Sequence, residues 1–237
     1  MSVWIYEEGE LSPVLSIVDH SSNRVPDGID LGIDPALLDT HIGWDIGAAA
    51  LARALGFPVF MANVSRLVVD MNREEGAAGL IPLESDGVRI PGNAGDRAER
   101  HALWRQYHEA LSARIAFQRP ELLLSIHSFT PILSTQREEL RPWEIGILYN
   151  DDDRSARIAL PMLAAAGIVV GDQLPYSGKI LNATMNRHGE GTRTPYLGIE
   201  VRQDLIGDAA GVAKWASVLR PVIATCLDVL SERGNED

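Results

Sequence analysis

Apolar runs of strand type alternate with stretches of helical period along most of the chain. Residues 13–18 form a short apolar run bounded by polar residues and read as a buried strand. Residues 45–55, rich in Ala and Leu, read as a helix that Gly56 and Pro58 stop. Residues 59–64 and 67–70 read as strands. Residues 82–95, rich in Gly and Pro, read as a loop long enough to act as a lid. Residues 97–118 carry the clearest helical pattern, because Leu103, Tyr107, Leu111 and Ile115 recur at helical spacing before Pro120. Residues 122–126 and 144–149 read as strands, 154–166 as a helix capped by the polar stretch 150–153, and 196–201 as a last strand. Residues 210–231 read as a final helix, kinked or broken at Pro221. Such alternation predicts a largely parallel sheet covered on both faces by helices. No repeat and no shift in composition divides it, so one domain over 1–237 is expected.

Charge narrows the class of partner. Lys and Arg number 21 against 33 Asp and Glu, a formal net charge of −12. That balance argues against a surface that wraps nucleic acid or binds anionic membrane. A single cysteine, Cys226, excludes an internal disulfide and a cysteine-rich zinc site. Cys226 lies among apolar residues of the last helix and reads as packing rather than as a nucleophile. No apolar run of membrane-spanning length stands out, and the first ten residues, MSVWIYEEGE, lack the basic and apolar regions of a signal peptide. A soluble cytoplasmic protein is expected.

Candidate chemistry sits where open α/β sheets place it, outside the carboxyl ends of the strands. Asp19-His20 follows one strand, His127 follows another, and Glu200 lies within a third. A lone histidine at a strand end is commonly structural. A carboxylate inside an apolar strand needs a partner, because an unpaired buried charge is costly. Arg202 is the bland partner for Glu200. Taken together, two imidazoles and a carboxylate are what a catalytic zinc centre needs. Asp39-Thr-His-Ile-Gly-Trp-Asp45 opens a helix, where Asp45 also suits the helix dipole and Asp39 and His41 suit solvent. Ser65-Arg-Leu-Val-Val-Asp-Met-Asn-Arg73 brings a carboxylate, an amide and a guanidinium together, either as a polar loop or as a clamp for a substrate carboxylate. No Gly-x-Ser-x-Gly elbow, Walker A loop or Gly-x-Gly-x-x-Gly turn is present. His101 and His108 on the long helix read as solvated or packed against it, His188 reads as a solvated loop residue ahead of one that lines the site, and Trp104 reads as core.

His20-Ser-Ser-Asn, the Ser65 to Arg73 element, Ile126-His-Ser-Phe-Thr130, Asn186-Arg-His-Gly189 and Gly198-Ile-Glu-Val-Arg202 occur in an order that resembles the N-formylglutamate amidohydrolase family. The resemblance covers residues 12–206. It implies a phosphorylase/hydrolase-like, three-layer α/β/α fold with a mixed, mostly parallel sheet, akin to zinc carboxypeptidases and aspartoacylase-type deacylases. It also implies one zinc, with His20 and His127 as ligands, Glu200 as the catalytic glutamate and Asn72-Arg73 on the substrate carboxylate. The carboxypeptidase-type His-x-x-Glu reads here as His20-Ser-Ser-Asn23, so the carboxylate ligand departs from the pattern. Asp45 is the expected third ligand, and Asn23 is placed with the substrate-binding residues.

The implied reaction is hydrolysis of the amide of a small N-acyl amino acid such as N-formylglutamate. Zinc activates a water, Glu200 moves its proton, Arg66 or Arg73 helps the oxyanion, and Arg73 or Arg187 holds the amino-acid carboxylate. Two readings compete: a non-catalytic carboxylate binder on the same fold, and a zinc amidase acting on a peptide or peptidoglycan stem.

Overall fold

The structure is a computed structural model that describes residues 2–9, 12–95 and 97–234. Its centre is a seven-stranded sheet. The strands are β1 (Trp4–Glu7), β2 (Val14–Val18), β3 (Val59–Ala62), β6 (Leu122–Phe129), β7 (Ile145–Leu148), β8 (Val170–Asp172) and β9 (Tyr196–Arg202). They lie in the order β1-β3-β2-β6-β9-β7-β8. β3, β2, β6 and β9 run parallel, β1 opposes β3, and the parallel pair β7 and β8 opposes β9. The sheet is therefore mixed and mostly parallel. A separate two-stranded hairpin, β4 (Glu84–Ser85) and β5 (Val88–Arg89), stands within the expected loop. Its turn uses Asp86 and Gly87, both at positive φ, as two-residue hairpins favour.

Strand alternation sorts the core into two clusters. Val14, Val18, Leu124, Ile126, Leu197 and Ile199 face α1 (Ala48–Leu55), α3 (Arg154–Ala165) and α5 (Ala209–Gly234). Leu15, Ile17, Leu123 and Tyr196 face the other way, against Trp104, Tyr107, Leu111 and Ile115 of α2 (Ala98–Gln118) and Met185 of α4 (Ala183–His188). The result is three layers, α/β/α.

Three expectations change. Residues 67–70 are turn and irregular backbone rather than a strand: Val68 N–H donates to the Ser65 carbonyl and Asp70 N–H to that of Leu80. A short apolar run buried on every side looks alike in either state. β6 continues through His127 to Phe129, because β9 pairs with it out to Arg202. α5 runs through Pro221 without a break in its assigned helix. Between Ala209 and Glu232 it also has the length and mean hydropathy, 1.2, of a membrane-crossing helix. The expectation of no such run missed this, because Lys214, Arg220 and Asp228 are spread too thinly to lower the average. Its Trp215, Leu219, Ile223 and Cys226 pack into the first core cluster, and burial pushes the Cys226 thiol up to about 12.

Candidate active site and metal centre

The parallel register sets His127 of β6 directly beside Glu200 of β9, near the carboxyl ends of both strands. β2 ends one strand away, and Asp19-His20 turn out of it. Asp45 arrives from a distant part of the chain. Its N–H donates to the His20 carbonyl at 2.9 Å, which ties the approach to α1 onto the end of β2. Gly47, two residues on, has φ +82, and a Cβ there would meet the Ile206 carbonyl oxygen at 2.3 Å. Only glycine permits this close entry into the helix.

The side chains of His20, Asp45 and His127 converge while buried. One ligand atom from each lies within 4.8 Å of the other two. Asp45 Oδ2 is 2.8 Å from His127 Nδ1 and 3.4 Å from His20 Nδ1. On the far side of each ring stands another carboxylate. Asp70 Oδ1 is 2.6 Å from His20 Nε2. Asp19 Oδ2 is 3.6 Å from His127 Nε2, and both of those atoms are buried without a hydrogen-bond partner. Asp19 Oδ1 accepts from the Tyr107 hydroxyl at 2.8 Å. Carboxylates behind metal-binding imidazoles hold the tautomer that leaves the front nitrogen free to donate its lone pair. Two imidazoles and one carboxylate are a zinc-type donor set, so the residues present fit one divalent ion.

Arg66 spans the cluster, donating to Asp45 Oδ1 and Asp70 Oδ2, each at 3.1 Å. Burial would raise the Asp45 carboxyl, but His20, His127 and Arg66 outweigh it and hold it well below the usual carboxylate range. Asp70 is held down likewise by His20, Arg66 and Arg73. Burial would lower the His127 imidazole, yet Asp19 and Asp45 raise it well above its ordinary value. A metal ion must compete with that proton.

Glu200 is the exception among these carboxyls. It is buried, its Oε2 has no hydrogen-bond partner, and Arg202 pairs with Asp204 instead. Burial pushes it up to about 7, against the pull of His127 and with Asp45 adding to the rise. Gly146 of β7 opposes it across the sheet, and a Cβ at that position would strike the Leu174 carbonyl oxygen at 2.3 Å.

A cavity of about 110 Å³ opens over this cluster, lined by His20, Asp45, Arg66, Asn72, Arg73, His127 and Glu200 together with His41, Thr130 and Tyr176. Seven residues singled out in the sequence therefore meet at one cavity. Two do not. Asn23 donates its amide to Asp39 at 2.7 Å, and Arg187 lies 4.7 Å over the Trp104 ring. His41, read as solvated, is bonded to Asp86 at 3.0 Å. Asp19, Asp70, Tyr107 and Tyr176 joined the site without having been singled out for it. For Asp19 and Asp70 the signal was there, a carboxylate beside His20 and one inside the Ser65 to Arg73 element; Tyr176 has none.

His108 and His188 depart furthest from expectation. Both are buried, with His108 Nδ1 2.8 Å from His188 Nε2. Burial lowers them to about 4 and about 3; Asp19 and Glu75 oppose this in His108, and Arg187 reinforces it in both. In the unfolded chain both titrate near 6.5, so the folded state disfavours their protons. Stability is complete above about pH 6.5 and falls as the pH drops toward about 4. The melting temperature of the wild type is expected to fall between about pH 7 and 5 more steeply than that of His108→Gln. Equal slopes would contradict a neutral buried pair.

The family model for N-formylglutamate amidohydrolases matches residues 12–207. The chain belongs to the N-formylglutamate amidohydrolase family. It is a hydrolase of that kind. Two solved structures are similar to this family member over nearly their whole length. The Agrobacterium tumefaciens gene product Atu2144 is 29% identical, with a TM-score of 0.90 over 98% of this chain and 97% of that one. The N-formylglutamate amidohydrolase of Ralstonia eutropha JMP134 is 21% identical, with a TM-score of 0.67 over 99% of this chain and 100% of that one, a likeness of fold. No curated protein sequence matches the chain.

Proposed function

We propose that this amidohydrolase removes the acyl group from a small N-acyl amino acid such as N-formylglutamate, with one zinc ion held by His20, Asp45 and His127. The observation that carries the reading is the convergence of these three buried side chains beside an unpaired buried carboxyl, Glu200. Bound zinc would supply a water of lowered pKa and a positive charge for the carbonyl oxygen. Glu200 is poised near neutrality, so its Oε2 can take a proton from the attacking water and return it to the departing amine nitrogen. Both of the Arg66 contacts to Asp45 and Asp70 leave its charge at the cavity wall, where it favours negative charge developing on the oxygen. Asn72 and Arg73 line the same cavity and suit the amino-acid carboxylate. Asn23 and Arg187, expected to bind substrate, act outside the cavity.

Arg73 gives a direct test of substrate class. Its planar fork reads a carboxylate through two parallel hydrogen bonds, which lysine cannot copy. Arg73→Lys is expected to lower kcat/KM for N-formylglutamate about 10- to 100-fold, the worth of one charge-assisted bond of 1.5–3 kcal/mol. The loss should shrink when the substrate carboxylate is amidated. An equal loss on both substrates would remove Arg73 from carboxylate recognition.

A further inference from the structure

The Met71-Asn72-Arg73 segment has no strand partner, so its backbone groups must find hydrogen bonds elsewhere. The N–H groups of Asn72 and Arg73 turn back onto Asp70, and the Met71 and Arg73 carbonyls reach two helices behind the cavity. The Met71 carbonyl oxygen is 2.9 Å from His108 Nε2 and 3.4 Å from the Thr184 hydroxyl. Asn72 Oδ1 accepts from the Thr184 N–H at 3.0 Å. The Arg73 carbonyl accepts from Trp104 Nε1–H at 3.0 Å, and Arg187 covers the Trp104 ring. Every residue of the segment is thus held from behind by α2 or α4.

The protons on the two imidazoles follow from the acceptors. A carbonyl only accepts, so His108 carries its proton on Nε2. A neutral His108 then offers a lone pair at Nδ1, and His188 must donate its Nε2–H to it. A second proton on His108 would set two donors against each other. The chain of donors runs from His188 through His108 to Met71.

We propose that His108 and His188 are positioning residues, two neutral imidazoles bonded in series to the Met71 carbonyl, that fix Asn72 and Arg73 in the geometry that grips the substrate carboxylate. The role rests on the assignment of Arg73 to that carboxylate. Arg187 belongs to the same support, acting through Trp104 rather than on substrate. Glutamine pairs an NH₂ donor group with a carbonyl acceptor, so His108→Gln can imitate the neutral ring, whereas His108→Leu cannot.

The test uses the zinc-loaded protein, N-formylglutamate and its amidated counterpart. His108→Leu is expected to raise KM for the carboxylate substrate on the order of tenfold, as loss of one buried hydrogen bond does, with kcat and zinc content near wild type. KM for the amidated substrate should barely move, and His108→Gln should restore the wild-type value. If Arg73→Lys abolishes the carboxylate preference and a folded His108→Leu leaves it intact, the positioning role is wrong while the Arg73 assignment stands. If Arg73→Lys leaves the preference intact, the Arg73 assignment itself falls. Imidazole nitrogen NMR reads the pair without any substrate. Both rings should stay neutral Nε2–H tautomers from about pH 8 down to about 5, past the usual midpoint of about 6.5. A charged His108 or an Nδ1–H tautomer would overturn the proposal even if the leucine variant does not fold.

Discussion

Glu200→Gln is expected to lower kcat by about 10²- to 10⁴-fold, the usual contribution of a positioned general acid–base group. Glutamine is nearly isosteric and cannot carry the proton. Zinc content should stay at one per chain, since Glu200 stands beside His127 in the register and is not one of the three converging donors His20, Asp45 and His127. The melting temperature should hold or rise slightly, because the replaced carboxyl is buried with an unpartnered oxygen, and burial penalises its charged form. A structural Glu200 would give the opposite set: lower stability with turnover per folded molecule unchanged. A ligand would give lost zinc. Turnover, zinc content and melting temperature on this one variant distinguish the three.

Asp45, the proposed third ligand, carries the second large effect. Asp45 accepts from Arg66 and from the Ser128 N–H and stands within reach of both histidines, so its removal strands several buried charges at once. Breaking such a network by deleting one partner costs about 3–5 kcal/mol, so Asp45→Ala is expected to be markedly less stable. Asp45→Asn keeps the shape and loses the charge. Both variants should emerge from dialysis with little zinc and little turnover, as His20→Ala should. Asn23→Ala should keep both, because its amide is spent on Asp39 away from the cavity. Elemental analysis of the four proteins checks this ranking. Retained zinc in Asp45→Asn together with loss in Asn23→Ala would move the ligand to Asn23.

Much of this arrangement was legible in the residues alone, for identifiable reasons. β2, β6 and β9 are largely apolar because both of their faces are covered, and an imidazole or carboxylate in them or just beyond them stands out for that reason. His20, His127 and Glu200 were visible in this way. The period of α2 carried its own answer for His108, which shares a stripe with Trp104, Leu111 and Ile115; residue type argued for solvent and the spacing was right. His188 sits on a six-residue helix, too short to show a period. The spacing of His20-Ser-Ser-Asn23 suggests a local ligand, yet the carboxylate that converges with His20 and His127 comes from 25 residues away, tied in by a backbone bond to His20. Residues 67–70 misled because burial on all sides erases the difference between strand and turn. Asp86, which gathers His41, Ser134 and Thr135 around a hairpin tip, is a long-range contact that no local pattern announces.

Hydrolysis is expected to depend on one ion held by His20, Asp45 and His127. The most direct measurement is amino-acid release from N-formylglutamate by chelator-stripped protein as zinc is added back. Release should be near zero in the stripped protein and should rise in proportion to zinc until one ion per chain is bound. Full release from the stripped protein, or none at full loading, would contradict the account.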